Sequence, residues 1–133
     1  MQSTELRLDT SGRHFTDLTS EVTEFCRSVG DGLLNVFVPH ATAGVALMEL
    51  GSGSEEDLDE LLGRVLPRDE RYRHRHGGPG HGADHLLPVL VSPSVVVPVE
   101  EGRPILGTWQ SVVLVDLNAD NPDRRVRLTF LPG

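Results

Sequence analysis

The chain has no lysine; all twelve of its basic residues are arginine. A Schiff-base lysine, a Walker lysine and a lysine general base are therefore excluded. Cysteine is nearly absent as well. Cys26 stands alone, so neither an intrachain disulfide nor a multi-cysteine zinc cage can form. No apolar run approaches the roughly 20 residues of a membrane span, and the first residues carry no basic-then-apolar leader. A soluble, cytoplasmic protein is the expectation. Positive charge is scarce too, with twelve basic against twenty acidic residues and a net charge of −8. Such a chain repels phosphate backbones and anionic lipid, so neither nucleic acid nor membrane is an expected partner. At 133 residues it can bury about 68% of its extended surface, enough for one domain over 1–133 and too little for two.

What is present reads as strands around two helices. Thr4 to Leu8 alternates with period two, as a half-buried strand does. Leu18, Val22, Phe25, Cys26 and Val29 form one helical stripe, with Thr16 as N-cap and Gly30 as the stop. Cys26 lies on that stripe and reads as core. Leu33 to Val38 is an apolar strand closed by Pro39, and Ala41 to Glu49 turns into a second. Ser54 caps the clearest helix: acidic residues occupy its first turn, Leu58, Leu61, Leu62, Val65 and Leu66 form its buried face, and Pro67 stops it. Residues 68–85 form a long loop, either functional or disordered. From Leu86 onward the pattern is strand-like at 89–91, 94–99, 111–117 and 125–131, with Pro93 and Pro98 marking edges or bulges. Early helices and late, non-alternating strands predict an α+β fold on a mostly antiparallel sheet or sandwich.

The chemistry concentrates in histidine. Four of the six (His74, His76, His81 and His85) fall in the loop. A solvated polar loop is the plain reading and a metal site the sharper one, since imidazole suits zinc, nickel, copper or iron. His81 and His85 share a face if the segment after Gly80 is helical. His40 follows Pro39 at a strand end, where a cleft-lining role is natural. Thr42 and Gly44 after it offer a hydroxyl and close backbone approach, and Glu49 lies near the far end of the next strand. Gly107 to Gln110 carries the only tryptophan, Trp109, between Thr108 and Gln110. Core packing explains Trp109 as readily as a site does.

His40-Ala41-Thr42-Ala43-Gly44 with Glu49, the segment His85 to Val99, and Gly102-Arg103 followed by Leu106-Gly107-Thr108-Trp109-Gln110 resemble, in order and spacing, the motifs of the YjbQ-like family. The resemblance covers nearly the whole chain. It implies a two-sheet α+β sandwich with two or three helices, a homotrimer, and a histidine-based site for a divalent metal, zinc by preference. Carried over by position, it places His40 and His85 on the metal, with the third histidine to come from His74, His76 or His81; the shared face favours His81. Glu49, His40 and Gln110 take the catalytic positions and Thr42, Gly44, Thr108 and Trp109 substrate-binding ones, with Arg75 or Arg103 as the substrate-binding arginine that would substitute for the family's lysine in holding an anion. Two departures stand out: Leu87 replaces the family's lysine and Ala41 a threonine.

The activity implied by that resemblance is a weak thiamine-phosphate synthase reaction. It joins a pyrimidine pyrophosphate to a thiazole phosphate, so a small phosphorylated molecule is the expected partner. Two alternatives stand beside it: a metal-dependent hydrolase of a phosphate or acyl ester with Glu49 as base, and a protein that holds a metal or small anion without turnover.

Overall fold

The computed structural model describes all of residues 1–133. Its elements follow in the order β1 (Gln2–Asp9), β2 (Phe15–Asp17), α1 (Thr19–Cys26), β3 (Gly32–Phe37), β4 (Gly44–Met48), α2 (Ser54–Val65), α3 (His81–Asp84), α4 (Leu87–Leu90), β5 (Ser94–Glu100), β6 (Arg103–Pro104), β7 (Ser111–Val115) and β8 (Asp123–Pro132). Two sheets result, one ordered β1-β8-β3-β5-β6 and the other β2-β7-β4. Every pairing is antiparallel. The fold is α+β, as the residue pattern predicts.

Alternation explains the packing. Arg124, Val126, Leu128 and Phe130 of β8 are buried, while Arg125, Arg127 and Leu131 face outward. The inward set meets Leu34 and Val36 of β3, Val45 of β4, and Val112 and Leu114 of β7 in the main core. Leu18, Val22 and Cys26 bring α1 into the same core. The other face of β7 is also covered: Val113 and Val115 pack with Leu62 and Leu66 of α2, Ala83 of α3 and Leu87 of α4. A strand buried on both faces needs a continuous apolar run, and Ser111-Val112-Val113-Leu114-Val115 supplies one. The layers are thus large sheet, small sheet, and helices α2 to α4.

Several local expectations change. The first helix is shorter than its stripe, because Thr16 pairs with Leu114 in β2 instead of capping. Asp17 accepts the Thr19 N–H in its place (2.9 Å). In α2, Gly53 at φ 97° is the N-cap, and the Glu55 carboxylate reaches back to the Gly51 N–H (3.1 Å). Only Leu62 and Leu66 of its expected buried face are fully covered, while Leu61 and Val65 are exposed. Residues 87–90 are helical where a strand was expected; Pro88 suits the first turn of a helix, where its missing N–H costs nothing. Pro98 does sit in a strand. Its carbonyl accepts the Ile105 N–H, so its donor-less nitrogen faces two-residue β6, where the ladder is nearly finished.

Candidate metal centre

The loop between α2 and β5 folds onto itself around two glycines. Gly80, at φ 80°, is the N-cap of α3 and adopts a backbone that side chains disfavour. Gly82 lies against residues 72–74, where a Cβ would come within 2.7 Å of the Tyr72 Cβ and 2.9 Å of the His74 carbonyl oxygen. This close approach brings His74 onto α3. The single turn places His81 and His85 on one face, with their Nε2 atoms 2.9 Å apart. One ligand nitrogen each from His74, His81 and His85 falls within 4.8 Å of the others. His74 Nδ1 is buried without a hydrogen-bond partner. A buried, unpaired ring nitrogen is costly, and a cation between the three rings would satisfy it. The donor set therefore fits a metal that accepts three imidazoles and keeps an open position.

Two carboxylates brace this arrangement from elsewhere. Buried Asp84 accepts the Arg68 guanidinium, with Nη2 to Oδ2 at 3.1 Å, and also Nδ2 of Asn118 at 2.9 Å. Asp120 accepts the Gly78 N–H at 3.1 Å and lies 2.8 Å from His81 Nδ1. The Gly78 N–H and then the His81 ring hold the Asp120 carboxyl below its ordinary range. Burial, followed by the neighbouring imidazoles, pushes His74 and His85 below the usual histidine value. Both are therefore neutral at pH 7, the form that offers a lone pair. A cavity of about 540 Å³ opens over the cluster, lined by His74, Arg75, His76, His81 and the Gly77 to Gly82 backbone. His76, exposed, places its ring 4.0 Å from that of His74.

The expected site residues divide into groups. His81 and Arg75 line this cavity, His85 joins His81 in the convergent trio, and His74 is the third member of that trio. His40 stands apart from that set. Its Nε2 accepts the Arg125 backbone N–H (2.9 Å) just beyond the point where β3 stops pairing with β8. Thr42 Oγ1 accepts from Arg124 Nη2 (2.7 Å), and Arg124 forms a buried bidentate pair with Asp116. The space over Gly44 is filled by the Val91 carbonyl, 2.1 Å from where a Cβ would stand.

Glu49, Thr108, Trp109 and Gln110 lie at the opposite end of the small sheet. Met48 pairs with Ser111 there, whereas Gly44 pairs with Val115 at the histidine end. Gln110 Oε1 accepts the Gly107 N–H (2.8 Å), and Trp109 projects from this braced turn with 74% of its surface exposed. Arg103 lines a separate open depression of about 710 Å³, with Asp31, Glu100 and Glu101. Residue pattern alone missed Asp84, Asn118 and Asp120. Their stretch reads as an ordinary turn, and nothing local ties 118–120 to a loop forty residues earlier.

Known proteins bear directly on this chain. The family model described as UPF0047 protein YjbQ-like matches residues 4–133. A UPF0047 protein of Mycobacterium tuberculosis is 63% identical over 133 residues, covering 100% of both chains. One from Archaeoglobus fulgidus is 37% identical over 122 residues, covering 91% of this chain and 94% of its own. Among solved structures, a hypothetical protein of Aeropyrum pernix aligns with TM-score 0.87 at 32% identity, covering 100% of both. An uncharacterised YjbQ/UPF0047 protein of Clostridium acetobutylicum aligns with TM-score 0.85 at 30% identity, over 96% of this chain and 99% of its own.

Proposed function

The chain belongs to the YjbQ-like UPF0047 family, and we propose that it is a metal-binding enzyme acting on a small phosphorylated molecule, with His74, His81 and His85 as the protein's ligands. The observation that carries this reading is the convergence of one ring nitrogen from each of three histidines within 4.8 Å, with His74 Nδ1 buried and unpartnered. Exposed acidic side chains gather on many surfaces without a metal. Three imidazoles, two of them pushed below the usual histidine value by burial and by neighbouring rings, do not gather without cost.

When bound, a divalent ion supplies Lewis acidity to an anionic oxygen or leaving group. The chain's own residues do the rest. Arg75 lines the cavity; its Nε donates to the Tyr72 carbonyl (3.1 Å), which leaves its terminal guanidinium nitrogens as donors for a phosphate. Arg68 is held by Asp84 and fixes the wall. The cavity has no aliphatic or aromatic hydrocarbon wall beyond Pro79, which favours a compact, charged substrate over an apolar ester. In the displacement of pyrophosphate from a pyrimidine pyrophosphate by a thiazole phosphate, the pyrophosphate and phosphate groups are the parts that suit this lining. Within one chain Glu49 follows β4 at the end away from the histidines, so a hydrolase with Glu49 as base needs that residue from a neighbouring copy.

We also propose that the working unit is a homotrimer. Exposed apolar side chains at both ends of the small sheet support this: Leu86, Val89 and Leu90 beside His85, and Trp109 on the turn before β7. Contact between unlike patches is heterologous, and such an interface closes into a ring when the rotation allows. Metal analysis of the untagged protein beside His74→Ala, His81→Ala and His85→Ala tests the site. About one ion per chain, lost in each variant, is expected, together with pyrophosphate release that needs both thiamine precursors. One ion per chain without turnover would leave a metal-binding protein, and no ion after reconstitution would sink the reading.

A further inference from the structure

Asp120 sits at the tip of the loop joining β7 to β8, thirty-nine residues from the histidine it meets. Its Oδ2 lies 2.8 Å from His81 Nδ1, while His81 Nε2 points the other way, to 2.9 Å from Nε2 of His85. The same Oδ2 accepts the Gly78 N–H at 3.1 Å. The backbone N–H groups of Asp120 and Asn121 are both accepted by Asn118 Oδ1 at 3.0 Å. Asn118 is in turn anchored to buried Asp84. The carboxylate is therefore held from both sides, by its own turn and by the loop it contacts, and its direction is not left to a free side chain.

We infer that Asp120 is the positioning residue of the metal centre: its carboxylate takes the Nδ1 proton of His81 in a hydrogen bond and so leaves the Nε2 lone pair free, aimed at the ion. An ionised carboxylate only accepts hydrogen bonds, so the ring facing it must present Nδ1–H. In the neutral ring the other nitrogen is then the one without a proton. Ligating histidines are regularly oriented in this way by a partner carboxylate, which also raises the basicity of the ring. The carboxylate is not itself a ligand, since its inner oxygen is spent on His81 and Gly78 and it stands outside the convergent trio. His74 and His85 have no such partner, so this control acts through one ring of the three.

The inference rests on the proposed metal site, and its test keeps the two apart. Zinc affinity is measured by titration against a competing chelator for the untagged wild type, Asp120→Asn and Asp120→Ala. The His81 tautomer is read from long-range proton–nitrogen correlations in histidine-labelled protein without metal. Wild-type His81 is expected as Nδ1–H. Both variants are expected to bind zinc ~10–100-fold more weakly, with the His81 signals shifted from that tautomer. Wild-type affinity retained in both variants would overturn the role of Asp120 and leave the site standing. A weakened affinity with an unchanged tautomer would overturn it as well, since the carboxylate would then act only through Gly78. A wild type that binds no zinc removes the site and the inference together. The wild-type tautomer alone decides the matter should either variant fail to fold, because Nε2–H on His81 contradicts the proposed geometry.

Discussion

His40 shows how one side chain can serve backbone chemistry where a ligand was expected. Its ring extends the β3–β8 ladder past the last paired residue by accepting the Arg125 N–H. That bond needs an unprotonated Nε2. Burial, then the charge of Arg124, holds its pKa below the ordinary 6.5, with Asp116 and Asp123 opposing and Arg125 adding to the depression. The unfolded chain therefore takes up this proton more readily than the folded one. The contribution of His40 is fully present above about pH 6.5 and is lost as the pH falls through the lower, folded value. Denaturant unfolding at pH 8 and at pH 5.5 should show wild type losing more stability on acidification than His40→Gln, and equal losses would refute the assignment. The variant is also expected to match wild type in the metal analysis that tests the proposed site, since His40 is outside the trio.

Close backbone approach is decisive for the elements. β4 begins at Gly44, against the carbonyl of Val91 as the chain leaves α4, and the Val45 N–H donates to Ser92 just beyond (2.8 Å). Neither neighbour is the end of a flexible side chain, so no cheap adjustment exists. Gly44→Ala is expected to cost at least about 2 kcal/mol, seen as a lower urea midpoint at constant slope. A change under ~0.5 kcal/mol would mean that the β4–α4 contact yields. The β5–β6 hairpin is tight in the same sense. Glu101 and Gly102 both take positive φ, 49° and 72°, between paired Glu100 and Arg103, as a type I′ turn requires. Helix α2 was readable from its acidic first turn and from Pro67. The exposure of Leu61 and Val65 was not, because periodicity marks a stripe without saying how much of it a neighbour covers.

For the whole molecule, the unlike apolar patches at the two ends of the small sheet carry the expectation of self-association. Trp109 is 74% exposed and Val89 76%, and the outer face of the large sheet adds exposed Leu33, Phe37, Val96 and Leu131. Sedimentation velocity should find a trimer for the wild type, and Trp109→Ala or Val89→Glu should shift it toward monomer. A monomeric wild type would refute the ring. No helix is long and apolar enough to cross a membrane. The amino-acid sequence by itself determined the strand-rich α+β class, the apolar run of β7, the helix over 54–65 and the histidine-rich loop. Each of these is written in spacing, in caps and breakers, or in composition over a few neighbouring residues. Only the tertiary structure decided that His74 completes the trio while His40 ties off a strand, that Asp120 faces His81, and that Glu49 stands apart from the trio within one chain. Those relations join residues far apart in the chain. They depend on strand order, on the close approach that Gly82 permits and on which face a layer covers, and local periodicity encodes none of these.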